Sequence, residues 1–479
     1  MEQASLNFDS RPASIPRLGL GNGALVVFVV LVAPFAAHAV NLAGHLRLIY
    51  PAANFLLAIY FYTRRSPWYA AQCLLLFCFA PLVRRLVDEQ AGFDASNPVL
   101  LTPYLCCVLT VPGVLSAWWE KPSRYLAPVL ALLLCIAYGT TLAMIEGRLF
   151  ASILDAVKWS IGPLFAAYVF SQRERYPETR RVVETCVIWA GVAAGVYGIA
   201  QFIRPASWDV QWVQGVAQLG MTSLGNPDPF SLRVFSTMNS PGSFAMLVSA
   251  GIVLALKQRI PLAAPSIAVM AAGLALSQYR TVWAATLLAI LMVLVSRPRN
   301  VSFAKVLTLL GLAALLGAGA AIPQISESVS HRAASVTDLR SDESFNSRLD
   351  QYRALVSSDE NLIVGEGLAI SGASRRLDQQ QRIVIDSGVI EIARAFGVLA
   401  GTAFLLAMAL LVAPLFGRAA RSHEDVWFDR AIVVATFVQL PMGSVHIGEL
   451  GFFAWLFLGL GLAALEADPT PAAYLEGAR

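Results

Sequence analysis

The sequence predicts an all-helical bundle that crosses a membrane many times, and three observations carry that fold class. Hydrophobic residues make up 57% of the 479-residue chain and charged ones only 14%, against roughly a quarter charged in an ordinary soluble domain. The apolar residues come in runs of about 20, the length a helix needs to cross the hydrocarbon of a bilayer. Lipid satisfies no backbone N–H or C=O, so an open sheet cannot cross it, whereas a helix bonded within itself can.

About 12–14 spans can be marked: 22–40, 48–63, 68–87, 98–119, 125–145, 154–171, 182–203, 239–256, 261–278, 281–297, 303–322, 387–415, 428–446 and 448–466. Residues 1–21 hold Asp9, Arg11, Pro12, Pro16 and Arg17 with no apolar core and cleavage site, and read as a cytoplasmic tail. Residues 22–466 form the transmembrane domain, and 467–479 a second cytoplasmic tail. With the N-terminus inside, alternate loops collect Arg64/Arg65, Lys121/Arg124, Arg173/Arg175/Arg180/Arg181, Lys257/Arg259, Arg297/Arg299/Lys305 and Arg418/Arg421, as short cytoplasmic loops do. The same phase places two longer segments, 204–238 and 323–385, on the extracytoplasmic face with the abrupt turn at Gln278–Thr281.

Charges on that far face need a reason. Segment 323–385 is the largest polar island and holds His331 and seven arginines, Arg348 and Arg382 among them. At 100° per residue, Leu349, Tyr352, Leu355 and Val356 share a helical face with Phe345, whereas Asp350 and Arg353 lie off it. Arg348 falls in the apolar group, so its guanidinium points toward the bundle, to bind an anion there or to pair with a carboxylate. Arg280 has almost no loop around it, a position that fits a water-filled cavity better than a snorkelling side chain. Arg84 and Arg85 either pair with Asp88, Glu89 and Asp94 or bind phosphate. Asp386 opens a span in Asp386-Ser387-Gly388, where a carboxylate is an ordinary helix cap and would also face whatever the arginines bind. Glu391 and Arg394, three apart, read as a helical couple.

The six cysteines all lie in apolar runs without disulfide or metal spacing, and the five histidines are scattered. No Walker A loop, dinucleotide fingerprint, H-E-x-x-H or G-x-S-x-G occurs, which argues against an ATP-driven pump or a zinc protease. Few spans carry a mid-span carboxylate, which weakens an ion-coupled carrier. Nothing in the chain calls for nucleic acid.

Several short segments occur in a telling order: Arg233-Val234-Phe235-Ser236-Thr237-Met238-Asn239-Ser240-Pro241-Gly242, Ser277-Gln278-Tyr279-Arg280, Asn346-Ser347-Arg348-Leu349-Asp350-Gln351-Tyr352, Gly365-Glu366-Gly367, Asp386-Ser387-Gly388 and Gly397-Val398-Leu399-Ala400-Gly401. In order and spacing, over roughly residues 180 to 410, they resemble the O-antigen ligase and polymerase superfamily (Wzy and ligase type). The resemblance implies a GT-C-like membrane glycosyltransferase with a large, partly helical periplasmic loop. It implies glycans on undecaprenyl diphosphate as donor and acceptor at the periplasmic face of the bacterial inner membrane, membrane lipid and a chain-length regulator as partners, and no metal or nucleotide sugar. By the same resemblance Arg233 and Arg280 would hold the donor diphosphate and Arg348 matches the family's large-loop arginine; the reading of the residues themselves adds Arg84, Arg85 and Arg382 as further phosphate-binding candidates and Asp386, with Arg348 and Arg280, as catalytic. Ligases place a histidine and an asparagine where this chain has Asp386-Ser387, a departure that favours polymerase over ligase. A flippase or exporter of lipid-linked glycan is a further alternative, but no internal repeat relates the halves. A non-enzymatic assembly protein is another, and it would tolerate lysine in place of each arginine.

The chemistry fits independently. Breaking the bond from an anomeric carbon to a diphosphate leaves charge on the diphosphate, which arginine, always protonated and able to bind two phosphate oxygens, stabilises. A carboxylate such as Asp386 could take the proton of the acceptor hydroxyl.

Overall fold

The structure, a computed structural model, describes residues 20–120, 123–220, 223–296, 350–353, 363–371 and 385–467, with isolated positions between 301 and 311. Most of the expected tails, the span 303–322 and the greater part of the loop 323–385 lie outside the described residues.

Helices follow one another almost without interruption, and no strand occurs among the described residues. Before residue 204 come α1 (Gly21–Ala39), α2 (Leu46–Thr63), α3 (Trp68–Ala91), α4 (Pro98–Trp119), α5 (Leu126–Ile145), α6 (Leu149–Ser171) and α7 (Tyr176–Ile203). Next are α8 (Ser207–Gln218), α9 (Pro241–Ala255), α10 (Ile260–Leu276) and α11 (Arg280–Ser296). The last three are α12 (Gly388–Val412), α13 (Glu424–Phe437) and α14 (Gly448–Glu466). Among the described residues eight helices are long and apolar enough to cross a membrane, so the chain is a multi-pass membrane protein. The sequence left 204–238 as a loop; the structure places α8 within it. Its polar residues mask an amphipathic helix that buries Trp212, Val213 and Val216.

The centre of the bundle is made by α3, α9 and α14, whose mid-portions are buried throughout. Around them, α14 packs on α6 and α13, α9 on α7 and α10, α12 on α5, and α11 on α13. Outward ridges remain bare: Leu287, Leu291 and Val295 on α11, four residues apart, are 64%, 57% and 73% exposed. Such a stripe is costly in water and ordinary against lipid tails.

One helix is broken on purpose. At Gly397, φ is 70° and α12 kinks, which frees carbonyls that a regular helix would use itself. The amide of Glu366 donates to the carbonyl of Arg394 (2.7 Å), that of Gly367 to Ala395 (3.0 Å), and that of Leu368 to Gly139 on α5 (2.8 Å). Residues 363–371 are thereby docked between α5 and α12. Arg394 holds the Glu366 carboxylate at 2.6 and 2.8 Å, and Arg148 donates to the carbonyls of Leu368 and Glu366. The expected couple Glu391–Arg394 is therefore replaced. Glu391 instead accepts from the hydroxyls of Ser371 and Ser444, because the docked segment brings Glu366 to Arg394 and Ser371 to Glu391.

Arg84 and Arg85 adopt the ion-pair reading rather than the phosphate-binding one. Arg84 donates to the Asp88 carboxylate (3.0 Å) and to the carbonyl of Asp94 (2.7 Å). Arg85 is 0% exposed and pairs with Asp209 of α8 at 2.6 Å. Its other nitrogen donates to the carbonyl of Ser236 at 2.5 Å, and its guanidinium lies 4.9 Å from the centre of the Phe235 ring. Asp209 also accepts from Tyr197 and Gln201 of α7, and the Gln201 amide oxygen accepts from the backbone of Phe235 and Ser236. Two of the three Arg85 nitrogens are committed to Asp209 and Ser236 and only Nε is without a partner among the described residues; since the whole side chain is buried, it is not placed to meet a phosphate from outside.

At the opposite end, the loops rich in Lys and Arg meet one another. Lys257 bridges Glu184 and Asp425, and Arg180 bonds Glu184 and Asp429. Burial alone would raise the Asp425 carboxyl, but Arg180 and Lys257 more than offset it and hold the group below its usual value.

Two outcomes are expected. Arg85→Ala should cost about 3–5 kcal/mol, because it strands a buried carboxylate, read as thermal unfolding in detergent, with Asp209→Asn added to it restoring part of the loss. A carboxyl with a depressed folded pKa contributes stability above its unfolded value near 4 and loses it as pH falls. Asp425→Asn should accordingly lower the melting temperature at pH 7, the two proteins converging from about pH 4 downward.

Candidate functional site

At the end of the bundle away from the lysine- and arginine-rich loops, four backbone segments converge. The first is 233–240, which leads into α9. Ser236 there has φ of 52° and is fixed by the Arg85–Gln201 network, with its hydroxyl donating to the carbonyl of Ala194 (2.6 Å). Ser240 caps α9, accepting from the amide of Ser243 at 3.0 Å, and with proline at the first position its first turn presents the amide of Gly242 and the positive end of the helix dipole outward.

The second is the turn between α10 and α11. Gln278 adopts φ of 53°, which lets the chain reverse within three residues, and Arg280 starts α11. The two segments interlock. The amide of Val234 donates to the carbonyl of Leu276 (3.2 Å), and Arg233 donates to the carbonyls of Ser223 (3.0 Å) and Gln278 (3.4 Å). Arg233 and Arg280, 47 positions apart in sequence, thus share one wall, and both are half-buried.

The third segment is the entrance to α12. Ser387, not Asp386, is its cap, accepting from the amide of Ile390 at 3.3 Å. Asp386 uses its amide to donate to Gln351 (3.1 Å), and among the described residues its carboxylate accepts no hydrogen bond. The described part of the loop helix, 350–353, sits here too: Tyr352 shares a hydrogen bond with Ser387 (2.7 Å) and donates to the carbonyl of Pro441 (3.2 Å). Asp350 and Arg353 pair with each other in solvent, as their off-face positions require. Arg348 and Arg382 lie outside the described residues.

The fourth is the turn Gly443–Ile447 before α14. A Cβ on Gly388 would lie 2.9 Å from the carbonyl oxygen of Gly443 and 3.2 Å from Nδ1 of His446, so the two segments touch. The Tyr279 ring, packed over Gly242, reaches Gly443 with its hydroxyl and closes the circle. Sequence reasoning passed over His446 as one of five scattered histidines. It is 2% exposed, its ring lies against Trp159, and among the described residues neither ring nitrogen has a partner. Thr237 Oγ1 and Asn239 Oδ1 on the first segment are likewise buried without partners. Unmatched buried polar atoms are rare in folded proteins and call for an explanation such as a ligand or an ordered water. The signal for His446 was present in the sequence: an imidazole and Ser444 in a turn between two apolar runs, where polar groups are expensive unless used.

No protein-family model matches the chain, and no curated protein sequence matches it.

Gly388→Ala tests the join between the third and fourth segments. Because the added methyl meets backbone, it should destabilise the protein by about 1–3 kcal/mol, measured as the midpoint of thermal unfolding, whereas Gly21→Ala, with open space around it, should leave the midpoint unchanged.

Proposed function

We propose that the protein is a metal-independent glycosyltransferase with a GT-C-like fold that polymerises undecaprenyl-diphosphate-linked oligosaccharide repeats into O-antigen or exopolysaccharide at the periplasmic face of the bacterial inner membrane. The observation that carries this reading is the interlocking of Arg233 with the turn that bears Arg280. Two arginines on one half-buried wall, beside the capped N-termini of α9 and α12, offer a fixed positive field of the kind a diphosphate leaving group needs.

In this reading the growing chain on one undecaprenyl diphosphate is transferred to the hydroxyl at the non-reducing end of an incoming lipid-linked repeat. The anomeric C–O bond to the diphosphate breaks as the new glycosidic bond forms. Arg233 and Arg280 take up the charge on the departing diphosphate, joined by Arg348 from the loop. Asp386, whose carboxylate is not consumed by capping, receives the proton of the acceptor hydroxyl. Arg84 and Arg85 act only by positioning, their guanidinium groups being buried and held by Asp88, Asp209 and backbone carbonyls.

The test is polymerisation of lipid-linked repeats by purified protein. Arg280→Ala and Arg233→Ala should each lower the rate by about 100-fold or more, the size of effect seen when one fixed donor to a developing anion is removed, and Arg280→Lys should restore only part of it. An unchanged rate in both alanine variants would rule the reading out. Cells lacking the protein should accumulate single lipid-linked repeats; accumulated long polymer would instead indicate a ligase, and repeats trapped on the cytoplasmic side a flippase.

A further inference from the structure

A second feature lies away from this site. A cavity of about 360 Å³ opens at the opposite end of the bundle, between the ends of α2, α4 and α6 and the start of α5. Its rim carries Arg65, Arg173 and Arg175 against one acid, Glu174, and its floor is apolar, made by Val129, Leu411, Leu458 and Leu462. The cavity is therefore positive at the mouth and greasy at depth.

Arg65 and Tyr168 are held ready rather than spent. Arg65 follows the last turn of α2 with φ of 49°, its amide donating to Tyr62 and that of Ser66 to Phe61. This is the left-handed helix-ending position that glycine fills at least cost, yet the sequence keeps an arginine there. Among the described residues the Arg65 guanidinium has no acceptor. Arg175 donates to the carbonyl of Arg65 at 2.9 Å, fixing the rim, and Arg173 lies over the Phe170 ring at 5.3 Å. Tyr168 is 6% exposed and lines the cavity, and its hydroxyl has no hydrogen-bond partner among the described residues. A hydroxyl that lines the cavity beneath a cationic rim and donates to no described protein group is available to an acceptor.

We propose that this cavity binds an anionic phospholipid, with the phosphodiester at Arg65 and Arg173, a phosphate or glycerol oxygen accepting from Tyr168, and an acyl chain against the floor. Basic pockets between transmembrane helices suit lipid head groups of this kind, and a soluble phosphate would make no use of Leu411, Leu458 and Leu462. The site lies about 34 Å from the other end of α6, given 23 residues in that helix at 1.5 Å each, so it is separate from the arginine wall and does not depend on the reaction proposed there.

Native mass spectrometry of the full-length protein in neutral detergent tests it, with phosphatidylglycerol, phosphatidylcholine or glycerol phosphate added. Phosphatidylglycerol should bind about tenfold or more tighter than phosphatidylcholine, and Arg65→Gln with Arg173→Gln should remove about that selectivity, a tenfold step being 1.4 kcal/mol. Tyr168→Phe, which leaves the packing intact, should weaken phosphatidylglycerol severalfold with an unchanged melting temperature. Equal binding of the two lipids, selectivity that survives the double substitution, or glycerol phosphate displacing the lipid at equal concentration would each overturn the proposal.

Discussion

Much of the molecule depends on a single buried ion pair. Arg85 reaches from α3 to Asp209 on α8 and to the carbonyl of Ser236. Taking both charges out of water is expensive, and the cost is offset only because Asp209 has three side-chain donors and Arg85 has aromatic rings beside it. The pair fixes α8 against the bundle, fixes Ser236 in its left-handed conformation, and so fixes the path of 233–240 into α9. Arg233 owes its position to a charge on another helix that faces away from any ligand.

A second constraint works through backbone alone. The kink at Gly397 gives up hydrogen bonds within α12 and returns them to residues 366 and 367. Gly367 approaches α5 so closely that a Cβ would fall 2.4 Å from the amide nitrogen of Ala143, which explains why Gly365-Glu366-Gly367 and Gly397 occur together in one chain: each supplies what the other's geometry requires. With Arg394 clasping Glu366, Glu391 is left to Ser371 and Ser444 at the edge of the candidate site.

The helices were legible because apolar runs of membrane length have few other uses, and most of the fourteen expected spans coincide with a described helix. What was not legible came from partners distant in sequence. Asp88 could be paired with Arg84 by spacing, but Asp209, 124 residues from Arg85, could not. Local spacing also suggested Glu391 with Arg394, and the kink overrode it. Helix α8 was hidden because its core-facing Trp212, Val213 and Val216 are interleaved with glutamines and an aspartate that look like loop. At the candidate site, Arg233, Arg280 and Asp386 were named from the sequence and the fold places their segments together, but Asp386 had been offered the role of cap, which Ser387 takes. His446 escaped because nothing around it in sequence pointed to the entrance of α12.

The shortness of α9 has a bearing on how the protein sits in its bilayer. Its 15 residues span about 22 Å, against about 30 Å of hydrocarbon, and α10, with 17 residues, is nearly as short. Because α9 is buried at the centre of the bundle, this mismatch is met by protein and not by lipid: its two ends lie closer together than the two faces of a bilayer, so at least one of them is recessed. A polar turn such as 233–240 at a recessed helix end is lined by side chains of its neighbours, and the depth of that recess, more than any single side chain, would determine which molecules arrive.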